Sequence, residues 1–233
     1  MTAENALVMF VKMPEAGRVK TRLQPELSPE QSLTLYTAMV EDLVRRLSEG
    51  PWDLWIWFAP PEAEVALRGW LGAALRYAPQ SGGDLGGRMT GAFAGCAARG
   101  YRRTVIVGSD LPELDASRVG EAFEALSRHD LVLGPSEDGG YYLIGRTGAD
   151  PDLFAGVAWS TASVFERTAA NARQAGFTLA ELAPARDIDT VAEVRDLWAR
   201  LQGPHGADLG AAIPRTRAVL ARWFDGGEPA QRE

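Results

Sequence analysis

Four cations crowd one short segment. Lys12, Arg18, Lys20 and Arg22 lie in VKMPEAGRVKTRL, with Glu15 alone to offset them. The apolar run ALVMFV ends directly before it. Ammonium and guanidinium groups after a strand, with Gly17 permitting a tight turn, suit a phosphate group. The alternative is a solvated basic loop. Neither the P-loop spacing nor G-x-G-x-x-G occurs in the chain, so the common nucleotide signatures are absent.

Carboxylates supply the complementary chemistry. VIVGSDLPEL (105–114) delivers Ser109 and Asp110 to the end of a Val/Ile strand, where a carboxylate suits Mg²⁺ or Mn²⁺, hard ions that take oxygen ligands. The alternative is a helix cap, for which Asp115 is better placed. In ARDIDTVAEV (185–194), Asp187 and Asp189 alternate and face one way if the segment is extended. GPSEDGGYYLIG (134–145) sets Glu137 and Asp138 beside Gly139 and Gly140, a chemical pair or simply a turn, since Asp-Gly is common in turns. PQSGGDLGGRMTGAF (79–93) adds a glycine-rich approach to a helix N-terminus. There Gln80 can read a base edge, Arg88 can pair with phosphate, and the alternative is a flexible connector.

The elements that must position these loops alternate along the chain. Strands are expected at 6–11, 54–59, 74–78, 103–110, 130–135, 141–146 and 178–182. Helices are expected at 28–50, 62–72, 88–100, 116–129, 160–176 and 190–201. Ser28, Pro29 and Gln31 read as a capping box with proline in the first turn, and Thr190 with Glu193 as another. Ser160 or Thr161 reads as the cap of the fifth helix. The Gly/Ala-rich stretch 203–213 reads as a loop, and 214–224 as a surface helix. The pattern predicts an α/β three-layer sandwich with a mostly parallel central sheet, whose ligands bind beyond the carboxyl ends of the strands. One domain over 1–202 is expected, with 203–233 packed on it.

Composition narrows the class. The 233 residues carry a net charge of -7, which argues against nucleic-acid binding and makes the basic segment a local exception. No apolar run approaches the ~20 residues of a membrane span, and the N-terminus does not read as a signal peptide. Cys96 is the one cysteine, which rules out an internal disulfide or a cysteine zinc site. A soluble cytoplasmic protein is expected, and its oligomeric state is left open.

KMPEAGRVKTRL, GGDLGGRM, GSDLP, GPSEDGGYYLIG, WST and DIDTVAEV occur in an order that resembles the bacterial DUF2064 family, also described as arsenosugar-biosynthesis-type glycosyltransferases. That family belongs to the nucleotide-diphospho-sugar transferase superfamily with the GT-A fold. More distantly, KTRL and GGDLGG resemble phospholactate guanylyltransferases. DIDTVAEV resembles the D-x-D-T-P-E-D ending of sugar nucleotidyltransferases, with Val191 and Ala192 where that pattern has Pro and Glu.

The resemblance implies that Lys12, Gly17, Arg18, Lys20, Thr21, Arg22 and Ser109 hold a diphosphate or triphosphate. It sets Gln80, Gly82, Gly83 and Arg88 on the nucleotide side, and Gly139, Gly140, Trp159 and Ser160 on the acceptor side. It makes Asp110 and Asp189, with Asp187, the carboxylates of a Mg²⁺ or Mn²⁺ ion. Two chemistries remain. In glycosyl transfer from a nucleotide sugar to a small acceptor, Glu137 or Asp138 serves as base. In nucleotidyl transfer, an NTP joins an acceptor that is already ionised and pyrophosphate leaves. The acidic pair favours glycosyl transfer. A non-catalytic binding domain is disfavoured because Asp110 and Asp189 are both present.

Overall fold

The computed structural model describes residues 4–148 and 152–226. Its centre is a seven-stranded sheet. In chain order the strands are β1 (Asn5–Lys12), β2 (Asp53–Ala59), β3 (Arg76–Pro79), β4 (Arg103–Val107), β5 (Leu131–Pro135), β6 (Tyr141–Thr147) and β7 (Leu179–Glu181). Across the sheet they run β3-β2-β1-β4-β6-β5-β7. β1 pairs parallel with β4, β2 with β3, and β5 with β7. β6 runs antiparallel to its neighbours β4 and β5, so the two strands around 136–140 form a hairpin. The sheet is mostly parallel, as the alternation predicts.

The chain divides into two compact units. The first carries the sheet, through Val11 and then over Gly50–Gly108 and Ala116–Arg186. Its helices are α2 (Glu64–Leu71), α3 (Leu85–Ala98), α4 (Ala116–Ala125) and α5 (Val164–Gln174). Ala6 and Val8 of β1, Ile106 of β4 and Ile144 of β6 share a core with Ala92, Phe93 and Cys96 of α3. Small residues on that helix face let it lie close on the strands. Arg146, 5% exposed, stacks its guanidinium over the Phe93 ring at 4.6 Å, a charge tolerated inside partly through the ring quadrupole.

Among the described residues the second unit is helical: Lys12–Glu49, Ser109–Asp115 and 187–226. α1 (Pro29–Leu47) begins with the expected capping box, Ser28 and Gln31 bonding each other's backbone N–H. Leu35 and Met39 of α1 pack with Val194 and Leu197 of α6 (Val191–Leu201) and with Leu220 and Trp223 of α8 (Pro214–Phe224). Stretch 203–213 is not the expected loop, since Gly206–Ala212 form a helix, α7. Gly206 lies so close to Leu201 that an added Cβ would sit 2.0 Å from its carbonyl oxygen. Glycine therefore serves packing here, not looseness. Buried Asp42 of α1 accepts from the Thr216 and Arg215 N–H groups at 2.8 and 3.2 Å. It thereby satisfies N–H groups that the first turn of α8 leaves open.

Two further boundaries differ from expectation. α3 starts at Leu85, so Gly86 and Gly87 belong to its first turn and only Gly82 and Gly83 to the loop. Asp84 caps it, accepting from Gly87 N–H at 2.8 Å, which outweighs the low helix propensity of the glycines. α5 starts at Val164, and neither Ser160 nor Thr161 caps it. Thr161 instead donates to Ala158 O at 2.7 Å, and Ser160 takes a left-handed φ of 62°.

Candidate functional site

In the helical unit, the basic segment folds back on itself. Gly17 (φ 80°) makes the turn, with Arg18 N–H donating to Glu15 O at 3.0 Å. Val19, Leu23 and Leu27 are buried and anchor the chain on either side of Lys20. Between Val19 and the 3₁₀ turn Thr21–Leu23, Lys20 takes φ 48° and ψ 43°, a left-handed conformation uncommon for a long side chain. That backbone sends the Lys20 side chain inward, where it is 3% exposed.

The ammonium meets three oxygens. It donates to Ile188 O at 2.5 Å and to Asp189 Oδ1 at 3.0 Å, and it pairs with Asp110 Oδ1. A lysine has three donors, and all three are used. Burial alone would lower its pKa, but Asp110 and Asp189 outweigh it and hold the ammonium above its ordinary value. Arg22 adds a second cation, Nη1 lying 3.2 Å from Asp189 Oδ2.

Both aspartates are fixed through their own backbone. Ile188 N–H donates to Asp110 O at 2.8 Å, which ties the two acidic segments together. Asp189 N–H donates to Glu193 Oε2 at 2.8 Å, so the glutamate of the α6 capping box also fixes the aspartate ahead of Thr190. Farther along, Arg46 of α1 donates to Leu114 O and Glu113 O at 3.1 Å. Arg200 of α6 grips the Glu113 carboxylate through two 2.6 Å bonds.

The remaining members of the segment divide. Arg18 is 78% exposed and pairs with Glu15 at 3.1 Å. Lys12 is fixed through its backbone: its N–H donates to Tyr36 Oη at 2.9 Å and its carbonyl accepts from that hydroxyl at 3.1 Å. Ser109, 8% exposed, bonds the same phenol. Burial, above all, pushes the Tyr36 pKa far up, so it stays a neutral hydroxyl. Asp187 is half-buried, one residue before fully buried Ile188.

In the sheet unit, Gln80 does not present a free amide. Its Nε2 donates to Trp57 O at 2.8 Å and its Oε1 accepts from Arg88 at 3.4 Å. Gly82 (φ 110°) lies against the first turn of α3, where an added Cβ would sit 2.5 Å from Gly87 C, whereas Gly83 has open space. Trp159 Nε1 donates to Asp84 Oδ2 at 3.2 Å. This bond brings the 159–160 segment to the glycine loop. Gly139 (φ 87°) seats its backbone against Ala162, and its carbonyl accepts from Phe165 N–H at 2.9 Å.

The acidic pair of the hairpin has local partners. Arg186 grips Glu137 Oε2 at 2.6 and 2.7 Å. Asp138 Oδ1 accepts from Gly140 N–H at 2.9 Å. Both residues are exposed. Cys96 is fully buried with its thiol pKa pushed up to about 11 by burial, so it is no nucleophile at neutral pH.

Among the described residues no cluster of three or more His, Cys, Asp or Glu could hold a metal. Asp110 and Asp189 do converge on one cation, with side chains 43% and 31% exposed. Two carboxylates suit a hard divalent ion that keeps water and takes its remaining oxygens from phosphate.

Tyr36, Asp84 and Arg186 were not foreseen as site residues. Asp84 was legible, as a good N-cap residue just ahead of the helix. The other two act through contacts across 24 and 49 residues of sequence, which no local pattern encodes.

A mostly parallel sheet flanked by helices, with its charged loops following strands, has the architecture of the nucleotide-diphospho-sugar transferases of GT-A type. A crystal structure from Desulfovibrio desulfuricans G20, provisionally described as a nucleotide-diphospho-sugar transferase, is 32% identical. It covers 95% of this chain, is covered over 98% of its own length, and superposes with a TM-score of 0.84. A family model described as "Uncharacterized protein conserved in bacteria (DUF2064)" matches residues 43–161. The chain belongs to the DUF2064 family.

Two more distant structures share the fold. The CMP:2-keto-3-deoxy-manno-octonic acid synthetase complexed with CTP has a TM-score of 0.54 at 11% identity, with 85% of this chain and 98% of that one covered. The 4-diphosphocytidyl-2C-methyl-D-erythritol synthase of Anaerococcus prevotii DSM 20548 has a TM-score of 0.53 at 10% identity, with the same two coverages. No curated protein matches the chain. No helix among the described residues is long and apolar enough to cross a membrane.

Proposed function

We propose that the protein is a metal-dependent glycosyltransferase that moves a sugar from a nucleotide diphosphate to a small acceptor. The observation that carries this reading is the meeting of Lys20 and Arg22 with Asp110 and Asp189. A glycosyl donor leaves as a nucleoside diphosphate, and fixed cations at the leaving oxygens lower the barrier without rearranging during the reaction.

Lys20 and Arg22 take the diphosphate in this reading. Thr21 lies between them on the exposed turn, and Lys12, Gly17, Arg18 and Ser109 complete the phosphate side. Asp110 and Asp189 would hold Mg²⁺ or Mn²⁺, which when bound supplies Lewis-acid charge on the phosphate oxygens; Asp187 forms no three-carboxylate cluster with them among the described residues. The base edge falls to Gln80, whose Nε2 keeps a second hydrogen beyond its bond to Trp57 O, next to Gly82 and Gly83. Gly139, Gly140, Trp159 and Ser160 receive the acceptor.

Asp138 is the better base of the acidic pair, because Glu137 is neutralised by Arg186. Gly140 N–H holds one Asp138 oxygen and so orients the carboxylate. In glycosyl transfer the acceptor oxygen attacks the anomeric carbon, its proton passes to a carboxylate base, and the bond to the diphosphate oxygen breaks with its electron pair.

A second reading is favoured by one observation. Both carboxylates of the hairpin have structural work, which suits nucleotidyl transfer to an acceptor that needs no base. A thermal-shift screen of UDP-, GDP-, ADP- and CMP-sugars and the four NTPs, each with and without Mg²⁺ or Mn²⁺, tests both. Stabilisation grows with ligand concentration over Kd. The first reading expects a nucleotide sugar with metal to stabilise most and to turn over. Pyrophosphate release from an NTP without turnover of any nucleotide sugar would establish the second, and no shift with any of them would remove both.

A further inference from the structure

The Lys20 ammonium stands where a cation shared by Asp110 and Asp189 would stand. We infer that Lys20 is a built-in counter-ion that blocks a bare divalent ion and yields only when metal and phosphate arrive together. The inference rests on the reading above and deepens it, since it makes the filling of that site by metal and phosphate a joint event.

Three observations carry it. The first is saturation: Ile188 O, Asp189 Oδ1 and Asp110 Oδ1 use all three ammonium donors, on a side chain 3% exposed. The carboxylates are already neutralised, so a metal alone must replace a buried, fully bonded cation. The second is charge. Lys20 and Arg22 against Asp110 and Asp189 sum to zero. A bare divalent ion would leave two uncompensated positive charges beside a buried ammonium, and a diphosphate alone would leave uncompensated negative ones. A metal–diphosphate pair brings both signs, and its phosphate oxygens give the ammonium new acceptors. The third is the backbone. The left-handed φ of 48° at Lys20 is strained for a side chain of this kind, and the contacts of the ammonium hold it there.

The test uses the intact protein with MnCl₂ and inorganic pyrophosphate, which carries the phosphate chemistry without a base. Electron paramagnetic resonance counts bound Mn²⁺ when the metal is added alone. Wild type should bind bare Mn²⁺ weakly, and Lys20→Met at least about tenfold more tightly, within the usual range of site–site coupling. Thermal shift reads the synergy. Mn²⁺ and pyrophosphate together should stabilise wild type by more than the sum of their separate shifts, and the excess should vanish in Lys20→Met. Equal affinity of both proteins for bare Mn²⁺, or undiminished synergy in Lys20→Met, overturns the inference. Should Lys20→Met not fold, the wild-type shifts decide alone: strictly additive shifts overturn the inference and a clear excess upholds it. Nucleotide-sugar binding in the screen above would survive such a failure, so the two readings fail separately.

Discussion

The Tyr36 hydroxyl of α1 accepts from the Lys12 N–H at 2.9 Å and bonds Ser109 as well. One phenol thus ties the root of the basic segment to the residue before Asp110. Tyr36→Phe keeps the ring and removes the tie. It leaves a part-buried N–H and carbonyl unsatisfied, at a cost of about 1–3 kcal/mol. Urea unfolding should register that loss, and nucleotide affinity should fall several-fold with it. Lost stability at unchanged affinity would make Tyr36 a packing residue only.

Arg22 allows a cleaner probe of phosphate binding than Lys20. Its pair with Asp189 is 57% exposed on the arginine side, and exposed pairs contribute at most about 1 kcal/mol to stability. Arg22→Ala should therefore melt within a few degrees of wild type, while losing about 1.5–3 kcal/mol of nucleotide binding for the charged hydrogen bond removed. Calorimetric titration with the nucleotide found in the screen measures it. Unaltered affinity would take Arg22 out of the phosphate site.

Part of this site was visible in the sequence and part was not. Lys20, Arg22, Asp110 and Asp189 stood out because each follows a strand or precedes a capped helix, positions that patterning locates. Pairing was hidden from the pattern. Tyr36 falls on the apolar stripe of α1 and reads as core, and its hydroxyl matters only because Lys12 folds back onto it. Glu137 reads as a candidate base or a turn residue, because Arg186 is distant in sequence. Gly86, Gly87 and the 206–212 stretch read as loop because glycine lowers helix propensity. Tertiary contact and the Asp84 cap override that propensity in the structure.

Gly139 is required by space as well as by φ. A Cβ there would sit 2.3 Å from Ala162 O, on a backbone with φ 87°. Gly139→Ala should destabilise by roughly 2–4 kcal/mol, combining strain and clash. Gly83→Ala, with nothing within 4 Å, is the control and should unfold near the wild-type midpoint. Equal midpoints for all three proteins would show that the hairpin gives way freely.

Acid stability has one clear local contributor. Asp130 accepts from Thr178 Oγ1 at 2.6 Å and Thr178 N–H at 2.9 Å, and these bonds hold its pKa below the ordinary 3.8. A depressed carboxylate stabilises the fold fully above its unfolded pKa and loses that contribution as pH falls through the folded one. Wild type should lose more stability than Asp130→Asn as pH drops below about 3.8. Denaturant midpoints between neutral pH and the acid limit compare the two. Parallel curves would mean the Thr178 clamp does not depend on charge.

Asp138→Asn separates the two chemistries with little structural disturbance. The asparagine carbonyl can still accept from Gly140 N–H, so the turn should persist and thermal stability should hardly change. The substitution removes the ability to take a proton. If the acceptor is a hydroxyl, the rate of sugar transfer should fall by about 10²–10⁴, with nucleotide affinity intact. Glu137→Gln should cost much less, because Arg186 already neutralises that carboxylate. Steady-state rates with the acceptor, set beside nucleotide affinity, distinguish the outcomes. A full rate in Asp138→Asn would mean that the acceptor arrives ionised, and nucleotidyl transfer would then be the better account of Lys20, Arg22, Asp110 and Asp189.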